Sequence, residues 1–170
     1  MDQNLKKIVW SQFGASIDML ENAIKSCPEN VWGNRPGFNE FWYITYHTLF
    51  WLDFYMSESP DNFTPPSPFT LSEFDPEGIL PDRVYTKDEL LNYLEYDRKK
   101  CKSRIKTLTD EKANQHFKFG SIDLSISELI LYNMRHVQHH AAQLNLLLRQ
   151  KIDSAPRWVK QTGIQLELND

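Results

Sequence analysis

The amino-acid sequence predicts an all-α fold, a four-helix bundle, from three observations. Three stretches place apolar residues three and four positions apart, the spacing of one helix face. A fourth stretch, residues 38–56, is apolar and aromatic nearly all round and too long for a single strand, so it predicts a buried helix. Two capping boxes mark helix starts. Because each amphipathic helix needs partners to cover its apolar face, four such helices favour a bundle.

The first two helices and the connection after them can be bounded from the sequence. The first helix covers about residues 4–26 and ends at Cys27, because the residue before a proline is biased away from helical backbone. The second helix is residues 38–56. Six prolines within residues 59–85 then forbid a continuous helix or a central strand. This Pro-rich segment is predicted to be a long crossover between the second and third helices.

The third and fourth helices each begin with a capping box. Residues 86–89 read Thr-Lys-Asp-Glu and open a helix that should run to about Leu108, in which residues 97–100 resemble a solvated face. Residues 125–128 read Ser-Ile-Ser-Glu and open a helix that runs to about Lys151 without Gly or Pro. The link 110–124 is predicted to be a polar connection, and the tail after Asp153 is predicted to pack back on the helices.

Length and composition restrict the class of protein. A chain of 170 residues with 41% hydrophobic and 25% charged residues predicts one globular domain over residues 1–170. No apolar run approaches the roughly 20 residues of a membrane helix, and the N-terminus lacks the apolar core of a signal peptide, so we expect a cytoplasmic protein without a membrane partner. The net charge of −4 and the lack of a basic stripe argue against nucleic-acid binding. Cys27 and Cys101 are too few for a disulfide framework and are expected to be structural thiols.

Three of the five histidines lie close together in the fourth helix, at positions 136, 139 and 140. His136 and His140 are one turn apart, so their rings can converge on one metal ion. His136 could instead pair with His139, but all three cannot converge together. Apolar neighbours at helical steps from His136 and His140 predict that this pair points inward. A buried imidazole without a partner costs about 1–3 kcal/mol, and a metal ion would be a shared partner.

His47, in the aromatic second helix, is the third candidate ligand. Together with His136 and His140 it would form a three-histidine set with at least one open coordination position, which is typical of a catalytic metal site. His116 is expected to be exposed and uninvolved. Val137 occupies the position where a zincin protease needs Glu, and no Glu-x-x-His pair of a di-iron bundle is present. Two histidines on one helix cannot be the two opposite axial ligands of a haem, so a haem site is disfavoured.

The residues around His47 and the run His136-x-x-His139-His140-x-x-Gln143 resemble the DinB/YfiT-like family. The resemblance extends from the first helix to about Arg149. It implies a four-helix bundle that holds a divalent metal, usually nickel or zinc, on His47, His136 and His140, often in a homodimer, with His139 as a neighbour that is not a ligand. The family's usual His-Arg-Gly-Gln is here His-Ala-Ala-Gln at 140–143. Any contact made by that arginine is therefore lost.

The same resemblance implies a function. Relatives with an assigned activity are thiol S-transferases and related isomerases or hydrolases that use low-molecular-weight thiols such as bacillithiol, mycothiol or glutathione. The leading hypothesis is a metal-dependent transferase or hydrolase that acts on a small molecule, with a low-molecular-weight thiol as a cosubstrate. Gln143 either hydrogen-bonds an imidazole or the bound ligand, or it has only a structural role in packing or in solvation of the helix surface. The alternative is a metal-binding bundle without turnover that serves dimerisation, since no general base is evident and Asp53 and Glu128 are expected at the surface or in caps.

Overall fold

The computed structural model describes residues 2–35, 37 and 39–168, and this part of the chain is mainly helical. Helices and strands occupy α1 Gln3–Ser26, α2 Glu29–Trp32, α3 Phe41–Tyr55, α4 Lys87–Lys106, α5 Asp110–Asn114, β1 His116–Phe119, β2 Ile122–Ser125 and α6 Ile126–Ile152. The four long helices agree with the predicted ones, although α3 begins at Phe41 and the predicted start at residue 38 lies outside the described residues. Both predicted capping boxes are present, at Thr86 and Ser125.

The link 110–124 departs from the all-α prediction. It contains α5 and an antiparallel hairpin in which Phe117 pairs with Leu124. The turn of the hairpin includes Gly120, whose φ of 56° is readily adopted by glycine. Phe117 is buried and contacts Phe54 of α3 at a ring-centroid distance of 5.3 Å. Phe117 and Phe119 alternate with a polar residue before this glycine. This alternation is typical of a β-hairpin, but the prediction of a polar connection did not take it into account.

The long helices pack in pairs around one apolar core. Both α1 and α3 contact α4 and α6. Helix α3 is buried on most sides, with Trp42, Tyr46 and Phe50 fully inaccessible to solvent. The Pro-rich segment between α3 and α4 contributes Phe63 and Phe69 to the same core and forms one short 3-10 helix, Ser72–Phe74. Within the described residues, none of the helices is both long enough and apolar enough to span a membrane.

Several charged residues predicted at the surface are buried. Arg98 of α4 is 4% exposed and pairs with Asp18 and Glu21 of α1, and Asp97 is 1% exposed, so the expected solvated face over residues 97–100 is wrong at these two positions. Asp53 was also expected at the surface, but it is 1% exposed and binds Lys100 and the hydroxyl of Tyr93. Burial is possible for Arg98 and Asp53 because each has partners of opposite charge.

The C-terminal tail packs back on α1, as predicted. The backbone N–H of Thr162 donates to the carbonyl of Ser11 at 3.1 Å, and the indole of Trp10 donates to the carbonyl of Ile164 at 2.6 Å. Leu166 is buried. Of the neighbouring apolar residues of the tail, Val159 packs against the core, whereas Trp158 is 66% exposed.

Candidate metal centre

Helices α3 and α6 bring three histidines together. Each of His47, His136 and His140 offers one ring nitrogen within 4.8 Å of those of the other two, and Nε2 of His47 lies 3.4 Å from Nε2 of His136. His139 is exposed and outside this group, so the alternative pairing of His136 with His139 is not observed. His116 is exposed in the hairpin and bonds Asp123.

The histidine face of α6 is only half-buried. His47, His136 and His140 are all partly exposed, and nearby Tyr132 is 36% exposed. The face therefore borders an open cavity rather than the closed apolar interior that the helical spacing suggested. The cavity has a volume of about 880 Å³ and lies between α3, α6 and residues 72–79 of the Pro-rich segment.

Hydrogen bonds define the tautomers of two of the three rings. Nδ1 of His47 lies 2.7 Å from Oε2 of Glu73, and Nδ1 of His140 lies 2.7 Å from Oε1 of Gln143. A carboxylate and an amide oxygen can only accept, so Nδ1 must donate in each neutral ring. Nε2 of both rings is then unprotonated and available as a metal ligand.

Glu73 is the residue of this site that sequence reasoning missed. It lies in the short 3-10 helix Ser72–Phe74, and its side chain is 5% exposed. Besides the imidazole of His47, its carboxylate accepts hydrogen bonds from the hydroxyl of Tyr43 at 2.7 Å and the indole of Trp51 at 2.9 Å. Burial alone would raise the pKa of Glu73, but the hydrogen bonds from His47, Tyr43 and Trp51 outweigh it and lower the pKa. Glu73 is therefore a largely buried but ionised carboxylate.

The two α6 histidines of the cluster, His136 and His140, are uncharged at neutral pH. Burial, reinforced by the neighbouring histidines, lowers the pKa of His136 to about 3. Burial also lowers the pKa of His140 to about 4, although the hydrogen bond to Gln143 opposes this shift. Neutral imidazole is the form that binds metal ions.

The chemistry and spacing of these donors fit a divalent ion. Ligand nitrogens at 2.0–2.1 Å from a tetrahedral ion are ~3.3 Å apart, close to the 3.4 Å between Nε2 of His47 and Nε2 of His136. Imidazole ligands suit zinc and nickel. Nδ1 of His136, unlike Nδ1 of the other two rings, is buried without a hydrogen-bond partner among the described residues. Within the described ranges the cluster contains only histidines, which leaves further coordination positions to molecules in the cavity.

Comparison with known families agrees with this geometry. Residues 12–144 match the family model described as the DinB superfamily. The match includes all three histidines of the candidate centre and covers more than half of the chain. Comparisons with curated proteins and with solved structures found no match. The resemblance seen in the histidine pattern is thus confirmed, and the chain belongs to the DinB superfamily.

Proposed function

We propose that the protein is a divalent-metal-dependent enzyme in which His47, His136 and His140 hold nickel or zinc beside a cavity for a small molecule. The main support is the placement of three imidazoles from α3 and α6, each with a ring nitrogen within 4.8 Å of the others, at the wall of an open cavity. We propose a transferase or hydrolase reaction, with a thiol or water as the nucleophile.

The residues around the cluster have separate tasks in this proposal. Glu73 fixes the ring of His47 and makes its Nε2 a stronger donor, because a carboxylate that accepts from Nδ1 raises ligand basicity. Gln143 fixes the ring of His140 in the same way but without charge. The aromatic rings of Trp51 and Tyr55 line the cavity together with the histidines. A divalent ion bound there would act as a Lewis acid and lower the pKa of a thiol or a water molecule in the cavity.

A metal-binding role without turnover is the second candidate, and the bonding of Glu73 favours it. Both carboxylate oxygens of Glu73 already accept hydrogen bonds, from His47, Tyr43 and Trp51. The acid nearest to the histidines is therefore not free to act as a general base. A screen of the metal-loaded protein with cellular thiols and electrophiles separates the two candidates. An enzyme consumes substrate, whereas a binding protein only shifts its melting temperature.

We also propose that α1, α3, α4 and α6 form the four-helix bundle expected from the sequence and that the protein is a homodimer. The contacts of α1 and α3 with both α4 and α6 support the bundle. Light scattering combined with size-exclusion chromatography tests the dimer. A monomeric mass at micromolar concentration would contradict it.

Metal binding is tested first, because the enzyme proposal depends on it. Protein stripped with a chelator is titrated with zinc and with nickel in a calorimeter, and the metal content is checked by elemental analysis. We expect one ion per chain. His47→Ala and His140→Ala should each reduce the affinity by at least about 100-fold, since each removes a ligand.

The matched control for these variants is His139→Ala. His139 is adjacent to His140 on α6 but exposed and outside the cluster, so its loss should leave the affinity unchanged. Circular dichroism verifies that all variants fold. If the chain takes up neither zinc nor nickel after reconstitution, or if all three variants bind equally well, the metal proposal is wrong.

A further inference from the structure

Among the described residues, the walls of the histidine cavity contain no Lys or Arg. Besides the histidines and three tyrosines, its ionisable groups are Glu73 and Asp75, both acids. The two carboxylates would balance the charge of a divalent ion on the histidines. Because no Lys or Arg from the described lining compensates further negative charge, an anionic molecule would gain little electrostatic stabilisation there.

Large apolar side chains make up much of the remaining cavity wall, beside the uncharged polar residues Asn39, Ser72 and Gln143. Trp51, Ile44 and Leu147 lie along it. Two further apolar residues, Ile79 of the Pro-rich segment and Leu146 of α6, line the cavity although they are 56% and 55% exposed. Large apolar side chains that are exposed together beside a cavity indicate a surface for an apolar ligand.

Basic residues do line a cavity elsewhere on the protein. A separate cavity of about 770 Å³ contains Lys100, Arg104 and Lys112, and it shares none of its lining residues with the histidine cavity. The cationic side chains of α4 and α5 are thus kept away from the candidate metal centre. A cavity built to bind a carboxylate-rich thiol would be expected to contain such groups, since Arg and Lys are the usual carboxylate partners.

We propose that the histidine cavity binds an uncharged small molecule with an apolar body and one metal-binding group, and that it selects against anionic thiols such as glutathione. This inference rests on the proposed metal site. The metal-binding group would reach the ion on the histidines, while the apolar body would contact Trp51, Leu147 and the exposed pair Ile79 and Leu146. A thiol held in this way would give its proton to solvent, and the divalent ion would compensate the charge of the resulting thiolate.

Two thiols that differ in charge and polarity test the proposal. Benzyl mercaptan is uncharged and apolar, whereas glutathione is an anion at neutral pH. Each is titrated into the zinc-loaded protein in a calorimeter under nitrogen. We expect benzyl mercaptan to bind at least about tenfold more tightly, because burial of its ring removes apolar surface from water. Equal or tighter binding of glutathione would overturn the proposal and leave the metal site intact. Failure to load zinc would instead refute the proposed function, and the cavity inference with it.

A matched pair of variants tests whether the preference between the two thiols arises in the histidine cavity. Leu146→Lys places a positive charge at the cavity, so the preference for benzyl mercaptan over glutathione should fall by at least about threefold. Leu131→Lys places the same charge on α6 at a leucine that is 48% exposed but not in the cavity wall, and should leave the preference unchanged. Equal preferences in both variants and the parent protein would show that binding occurs elsewhere and would overturn the proposal.

Discussion

Oε2 of Glu73 lies 2.7 Å from Nδ1 of His47, although the two residues are 26 positions apart in the sequence. The same oxygen accepts a hydrogen bond from the indole of Trp51 at 2.9 Å. One buried carboxylate oxygen of the Pro-rich segment is therefore hydrogen-bonded to two side chains of α3. The position of the His47 ring depends on the fold of a segment that contains no long helix.

Glu73→Gln should weaken metal binding more than it weakens the fold. The amide keeps the shape of the side chain but removes the charge, so it can no longer stabilise the donor Nδ1 of His47 to the same degree. Loss of such an orienting partner typically costs 10–100-fold in metal affinity. We expect a decrease of about that size in the zinc affinity measured by calorimetry.

Glu77→Gln is the control for this variant. Glu77 is an exposed acid in the same segment and does not line the histidine cavity, so its replacement changes the net charge equally. It should leave the zinc affinity unchanged. Wild-type affinity in Glu73→Gln, or the same decrease in both variants, would mean that the carboxylate does not act through His47.

The three histidines could be found from the sequence because two of them follow helical spacing, but Glu73 could not. His136 and His140 are one turn apart on α6, and His47 lies in the other strongly apolar helix. Glu73 lies in a segment where prolines interrupt any periodicity, so no pattern relates it to His47. Its approach is set by long-range packing, including the contact of Phe74 with Phe54 at a centroid distance of 4.9 Å.

The burial of Asp97 and Arg98 in α4 was not predicted from the sequence, for two different reasons. Asp97 lies three residues after Leu94 and four before Cys101, and both neighbours are buried, so helical spacing already places it on the inner face. Its charge suggested solvent instead. Arg98 is buried because Asp18 and Glu21 of α1 lie opposite it, which depends on the pairing of helices and is not visible in the local sequence.

Asp97→Asn should make the protein more stable at neutral pH and flatten the pH dependence of its stability. Both carboxylate oxygens of Asp97 are buried without a hydrogen-bond partner among the described residues. Burial, helped by the charge of Asp53 and opposed by Lys100, raises the pKa of Asp97 well above its ordinary value. In the unfolded state the pKa of an aspartate is about 3.9, below the raised value in the folded protein. The unfolded state therefore loses this proton first as the pH rises, and the stability of the fold decreases above about pH 4.

The free energy of unfolding of the parent protein should therefore contain a component that falls as the pH rises from about 4 toward the raised pKa. Asp97→Asn lacks this component and should gain about 1–3 kcal/mol at pH 7 relative to the parent, with little gain at pH 4. Urea denaturation at several pH values measures the difference. Glu95→Gln, at a half-exposed acid of the same helix, should show no such trend. A gain that is independent of pH would show that the charge of Asp97 is not the cause.

Gly14→Ala should destabilise the protein although it improves the helix propensity of α1. A Cβ atom at Gly14 would lie 2.6 Å from Cγ2 and 2.8 Å from Cβ of Thr162 in the C-terminal tail. Thr162 cannot simply move away, because its backbone N–H is bonded to the carbonyl of Ser11. The clash should cost about 1–3 kcal/mol, more than the ~1 kcal/mol that alanine gains over glycine within a helix. Urea denaturation should show a net loss of stability.

Removal of the Thr162 side chain tests whether the clash with Thr162, rather than another effect of alanine in α1, causes the loss of stability. In Thr162→Gly the atoms nearest to the added methyl group are absent, so Gly14→Ala should become neutral or stabilising in that background. Gly163→Ala is the control, since a Cβ atom there would meet no described atom within 4 Å, and it should change stability little. If Gly14→Ala costs the same with and without the Thr162 side chain, the tail does not pack on α1 at this point. In that case the loss must come from another neighbour of the helix.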